Sequence, residues 1–331
     1  MKYYNIPIFV PHYGCPFDCV FCNQKHITGE EEIPCGARTT NIIREYLETL
    51  PEKDRQIEAA FFGGSFTAVD ESLQLELLQA AYEFVKNGEI DGIRLSTRPD
   101  FIDEKIMERL VKYGVTTVEL GVQSMNDNVL TASGRGHTAG VVEKAVGIIR
   151  EYPVKLGLQM MTGLPEDTDE RSIETANRII ALKPDFVRIY PTLVIRDTKL
   201  CSMYESGDYK PQSLDSAVVL AAKLMEMFKS NNIAVIRAGL AATDEISPGG
   251  ALVAGPYHSA FGELAEGEVF YNKIQAELDD RKTAEIAINP KDISKAVGNC
   301  RRNIKRFEES GCKVIFVQDD KVPQGEIVRK D

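Results

Sequence analysis

Three cysteines fall within eight residues, Cys15-Pro16-Phe17-Asp18-Cys19-Val20-Phe21-Cys22, at the spacing C-x3-C-x2-C. A single loop of that length can present three thiolates to one face of a metal centre, yet three ligands do not close a tetrahedral site. Structural zinc takes four protein ligands, whereas a 4Fe-4S cluster held by three cysteines leaves one iron open to something that is not protein. His12 and His26 flank the loop and could complete a Cys3His zinc site. Cysteines that merely pack as small hydrophobes have no reason to cluster at ligand spacing.

The other four cysteines, Cys35, Cys201, Cys300 and Cys312, are scattered, and a total of seven does not suit a disulfide framework. A reducing cytoplasm is therefore the expected compartment. Hydrophobic residues make up 43% of the 331 positions, with apolar runs far shorter than a bilayer requires, so no membrane partner is expected. Met1-Lys2-Tyr3-Tyr4-Asn5 carries no pattern of an export signal. The net charge of -11 argues against an electrostatic grip on nucleic acid over the whole surface and leaves room only for a local basic patch.

The elements that must position the loop are legible as an alternation. Short β-branched, apolar runs at Ile6 to Val10, Ile57 to Phe62, Ile93 to Ser96, Val115 to Val122, Val154 to Met161 and Phe186 to Tyr190 are each followed by an amphipathic stretch. Repeated βα units of this kind imply a parallel sheet, either a partial barrel or an open doubly wound sheet, with ligands at the carboxyl ends of the strands. The cysteine loop, Gly63-Gly64-Ser65, Ser96 to Pro99, Gln123 and Gln159 to Pro165 all fall at that end. Asp70 and Asp103 are placed to cap the second and third helices, which Asn87-Gly88 and Gly114 stop.

Residues 197 to 275 read as an elaboration on the barrel, with a helix from Leu214 to Ser230, a strand near Ile233 to Arg237 and a glycine-rich Pro248 to Gly262. A charged stretch at 276 to 282 marks a boundary, beyond which Ala284 to Ile288, one helix from Lys291 to Glu309 and Val314 to Val317 read as a small βαβ tail. The expected organisation is a partial (β/α)6 TIM-like barrel over 1–240, a barrel-packed extension over 241–275 and the tail over 276–331. Arg301, Arg302, Lys305 and Arg306 on the tail helix read as a solvated face, with an RNA or acidic-substrate contact as the lesser alternative.

The cysteine spacing, with Phe21 between the second and third ligands, resembles the radical S-adenosylmethionine (SAM) enzymes. The resemblance implies a 4Fe-4S cluster on Cys15, Cys19 and Cys22, with SAM on the open iron. Gly63-Gly64-Ser65-Phe66-Thr67 is similar to the segment whose backbone meets the SAM ammonium group. Val118 to Ser124 and Arg135-Gly136-His137 are similar to the oxygen-independent coproporphyrinogen oxidase and Elongator catalytic-subunit branches. By that likeness Gln123 and Gln159 would meet the SAM ribose, and Arg135 its carboxylate. Ser96 stands where the coproporphyrinogen oxidases carry a glutamate, which favours the Elongator side.

Leu95 to Asp100, Arg188 to Tyr209, Ile236 to Leu240 and Ala254 to Glu263 extend the Elongator likeness across residues 5 to 272. Two features depart from it: the Elongator subunit spaces its first two cysteines more widely, and it adds tRNA-binding and acetyltransferase segments. The implied chemistry is reductive cleavage of SAM by an electron from ferredoxin or flavodoxin, followed by hydrogen abstraction from a substrate, with tRNA among the candidates. Porphyrinogen-type or other small-molecule oxidation and a non-catalytic iron-sulfur or zinc module are the alternatives. Tyr257 and His258 are substrate-side candidates weighed against a structural role.

Overall fold

The computed structural model describes residues 2–10, 15, 17–23, 34–51, 53–240, 246–247, 249–279 and 281–330. Strands β1 (Lys2–Val10), β2 (Arg55–Gly63), β3 (Gly92–Thr97), β4 (Val115–Gln123), β5 (Lys155–Thr162) and β6 (Phe186–Pro191) are the six expected runs, five of them longer than expected and β5 shifted by one residue. After the short β7 (Val194–Ile195), β8 (Ala234–Ala238) adds a seventh strand beside β6. The sheet order is β1-β2-β3-β4-β5-β6-β8 and all six pairings are parallel. A doubly wound sheet would reverse strand order in its middle. This one never does, so it curls into a partial barrel.

Alternation along each strand divides the two faces. On β4, Val118, Leu120 and Val122 turn outward into the core beneath the helices, where they join Ile8, Phe61, Leu77, Ile149 and Phe228. The helices start and stop where expected: Asp70 accepts from the Ser72 amide, Asp103 from the Ile106 amide, and Gly88 and Gly114 lie at positive φ beyond the ends.

The inward positions are not apolar. Arg94 of β3 donates to Glu58 of β2 at 2.8 Å and to Glu119 of β4 at 2.7 Å, while Arg188 of β6 donates to Glu119 at 2.6 Å. Burial alone would push both carboxyls up, but Arg94 at Glu58, and Arg188 with Arg94 at Glu119, hold them below the ordinary glutamate range.

Beyond β9 (Leu252–Ala254), which pairs antiparallel with β7, the helix Phe261–Leu278 crosses residue 276 without a break. Its first half packs through Phe261, Leu264 and Ala265 on the helix Leu214–Ser230, and its second half through Phe270, Ile274 and Leu278 on the tail. The tail is βαββ rather than βαβ: β10 (Thr283–Ile288) pairs parallel with β11 (Lys313–Gln318) and antiparallel with β12 (Ile327–Lys330). The single helix expected over 291–309 is broken. It runs Ile293–Val297, then turns through Gly298, Cys300 and Arg301 at positive φ before Arg302–Glu309. Cys300, at the break, is exposed. Arg302 pairs with Asp215 at 2.9 Å and Arg306 with Glu268, so half of the basic face is committed within the molecule.

Removing Glu119 would leave two buried guanidiniums without their shared anion. Glu119→Gln is expected to cost roughly 3–5 kcal/mol, read as a lower urea midpoint at unchanged slope. Because the folded carboxyl lies below its unfolded value of about 4.3, this contribution is complete above that pH and is lost as pH falls through the folded value. E119Q should flatten that acid-side decline; a midpoint equal to wild type contradicts the assignment.

Candidate metal and cofactor site

The cysteine loop leaves the carboxyl end of β1 and is stitched down on both sides. The Val20 amide donates to Ser133 at 3.1 Å, and the Leu200 amide donates to the Val20 carbonyl at 2.7 Å. A turn closed by the Cys22 amide on the Cys19 carbonyl, at 3.0 Å, carries the third cysteine back toward the second. Cys19 is buried, while Cys15 and Cys22 are half-buried. Phe21 packs with Val20 against Val194, Leu200, Cys201 and Tyr209, which anchors the loop to the helix Lys199–Ser206. Among the described residues no three His, Cys, Asp or Glu side chains already converge as a metal site, so the thiols share a loop without surrounding a point. His12 and His26 lie outside the described residues, as do Pro248 of the glycine-rich stretch and Asp280 of the charged one.

The surroundings of Cys19 fit a thiolate-ligated centre. Nη1 of Arg135 lies 3.5 Å and Nη1 of Arg98 3.9 Å from its Sγ. Two cationic donors thus face the sulfur that a metal would take.

At the end of β2, Gly63 adopts φ 103°, closed to residues with a Cβ, and the Gly64 amide reaches back to the Val10 carbonyl at 2.7 Å. This holds the glycine turn against the strand that launches the cysteine loop. The Ser65 hydroxyl is engaged within the protein: it lies 2.9 Å from the Thr97 hydroxyl and accepts from the Arg98 amide at 3.0 Å. Ser65 therefore fastens the turn to β3.

Gln123 ends β4 in the left-handed region at φ 68°, where the pairing with β5 slips by one residue. Its Oε1 is buried and has no partner among the described residues. A strained non-glycine residue carrying an unsatisfied amide is a mark of a ligand-facing position. Arg135 and His137 show the same sign, since Arg135 Nε and His137 Nε2 are also buried and unpartnered. Burial, then the Arg135 charge, pushes the His137 imidazole down to about 4. It is neutral at physiological pH, and because Nδ1 faces the Thr138 carbonyl at 3.3 Å, Nε2 is left as an acceptor. Gly136 between them is required: at φ 73° it places any added Cβ 2.0 Å from the Phe17 ring.

One tier deeper, Gln159 of β5 donates its amide to Glu119 at 3.0 Å and to Ser96 at 3.4 Å. A carboxylate can only accept, so Glu119 fixes the orientation of that amide. Tyr257 packs among Leu193, Ile195, Ile246 and Ala251, and His258 Nδ1 accepts from the Ala260 amide at 3.0 Å. Sequence reasoning passed over the Glu58–Arg94–Glu119–Arg188 network as a unit, and Arg98. Each network member is one charge inside an apolar run, which is the signal that could have found it.

Gln123→Gly is expected to raise stability by about 1 kcal/mol, the release of left-handed strain, seen as a higher urea midpoint. A drop instead would mean that the side chain stabilises its own turn.

Comparison with known proteins agrees with this geometry. Residues 9–179 match the radical SAM superfamily and residues 184–270 the radical SAM C-terminal domain. Human Elongator complex protein 3 is 32% identical over 203 residues, 55% of this chain and 37% of that protein. The tRNA uridine(34) acetyltransferase of Methanocaldococcus jannaschii is 29% identical over 194 residues, 53% of this chain and 36% of that one. The chain thus spans little more than a third of the length of these relatives. The structure of the archaeal Methanocaldococcus infernus Elp3 with an N-terminal deletion shares the fold, with a TM-score of 0.62 at 23% identity over 82% of this chain and 67% of that one. With the superfamily match covering more than half of its residues, the chain belongs to the radical SAM superfamily.

Proposed function

We propose that the chain binds a 4Fe-4S cluster through Cys15, Cys19 and Cys22, holds SAM beside it, and acts in the modification of tRNA. The observation that carries the cofactor reading is the set of buried, unpartnered atoms at the barrel mouth: Gln123 Oε1, Arg135 Nε and His137 Nε2. When bound, the cluster and SAM together supply one-electron cleavage of a carbon-sulfur bond and a radical able to take hydrogen from a substrate.

The protein's own part is to bind and orient. Gln123 presents an acceptor to a hydroxyl, Arg135 a donor to a carboxylate, and the Gly63-Gly64 turn lets backbone approach an ammonium group closely. Gln159, with its amide nitrogen anchored on Glu119, turns its carbonyl oxygen to the remaining hydroxyl. The Arg94–Glu119–Arg188 chain spans the lumen below and keeps these groups at the mouth. The tRNA reading is supported by the relatives named for uridine(34), and the electron is expected from a ferredoxin or flavodoxin.

Anaerobic reconstitution should give about four irons and four sulfides per chain, and 5'-deoxyadenosine after reduction with dithionite in the presence of SAM. Stoichiometric zinc without SAM cleavage would remove the reading. Gln123→Ala should raise the KM for SAM about tenfold, the loss of one buried hydrogen bond, with iron content unchanged. Unmodified tRNA added to the reduced enzyme should yield a new nucleoside by mass spectrometry; turnover that ignores tRNA sinks the substrate assignment alone.

A further inference from the structure

We infer that Arg98 is a positioning residue for the metal centre: its buried guanidinium ties the cysteine loop to the barrel mouth and stabilises the reduced, more negative state of the cluster. This rests on the reading that Cys19 is a cluster ligand.

Arg98 follows β3 and joins four segments at once. Its side chain forks onto Asp100, Nε to Oδ1 at 2.9 Å and Nη2 to Oδ2 at 3.0 Å, and Nη2 also donates to the Arg135 carbonyl. The guanidinium lies 4.3 Å over the Phe17 ring, two residues before Cys19, and its backbone amide is taken by Ser65 of the glycine turn. That leaves Nη1 facing Cys19 Sγ at 3.9 Å.

Arg98 and Arg135 are both buried, at 4% and 6% exposure, and among the described residues Asp100 is the carboxylate that pairs with Arg98. A buried guanidinium is costly unless its donors are met, and the atom that faces Nη1 of Arg98 is Cys19 Sγ. Adding an electron to a centre ligated there adds negative charge about 4 Å from a fixed cation, which favours the reduced state. Donors to a ligating sulfur act in the same direction. The planar fork reaches Asp100 and the Arg135 carbonyl with Nη1 to spare, and a lysine would keep the positive charge beside Cys19.

The test is an EPR-monitored redox titration of the reconstituted full chain against dithionite, which needs no turnover. At equal iron content Arg98→Gln should hold about tenfold less reduced cluster at a fixed potential, equivalent to 59 mV for a one-electron couple, while Arg98→Lys stays within about twofold of wild type. Equal iron and an equal reduced fraction in R98Q overturn the inference. If R98Q cannot hold iron, R98K decides: near-wild-type iron supports the role, and a loss as deep as that of R98Q overturns it. Wild-type protein that takes up no iron-sulfur cluster would instead sink the cluster reading itself.

Discussion

Four charges inside a curled sheet have to neutralise one another, and Glu119 is where they meet. It accepts from Arg94, Arg188 and Gln159 while fully buried, and Arg94 carries the chain on to Glu58. Strands β2, β3, β4 and β6 are thereby joined across the lumen by contacts that depend on register. A slip of one residue in any of them would turn its charge outward into the helix layer. The expense of leaving any member unpaired is what makes the network a specification of the barrel as well as a part of it.

The mouth follows the opposite rule. Where the lumen satisfies its polar groups, the ends of β4 and the segment after it leave an amide oxygen, a guanidinium nitrogen and an imidazole nitrogen buried without partners. Gln123 adds backbone strain and a broken register to its unpartnered oxygen. Natural folds seldom leave such groups unmatched, and three of them gathered on Gln123, Arg135 and His137 mark this edge as a place where a ligand would complete the structure. The rigid, paired tier below is what allows the unpaired tier above to stay in place while empty of partners of its own.

Much of this was legible in the chain. β-branched runs at regular intervals predicted a parallel sheet, and the clustering of Cys15 to Cys22, Gly63, Gln123 and Gln159 at strand ends predicted one functional edge. Strand order could not be read from periodicity, because a barrel and a doubly wound sheet share the same local pattern; the unreversed order β1-β2-β3-β4-β5-β6-β8 decides it. The tail helix was misread as continuous, since its apolar spacing survives on paper across Gly298, where the backbone leaves helical φ. The position of Ser65 was legible and its partner was not, because the Thr97 hydroxyl that takes it comes from a strand 32 residues away. Roles that depend on a long-range partner are the ones a linear reading misses.

The two arginine pairs show how identical residue types divide their work by the anions around them. In the lumen, Arg94 and Arg188 face Glu58 and Glu119, two cations to two carboxylates, and the group is complete. At the mouth, Asp100 is the carboxylate paired with Arg98 among the described residues, and both guanidiniums turn a nitrogen toward Cys19 Sγ. In the lumen, exact pairing closes the site to any further charged partner. Two buried guanidiniums turned toward one sulfur, with two further cysteines on the same loop, bias the mouth toward an electron-rich centre. Scaffold and candidate site in this barrel thus differ in what their arginines face: carboxylates in the lumen, sulfur at the mouth.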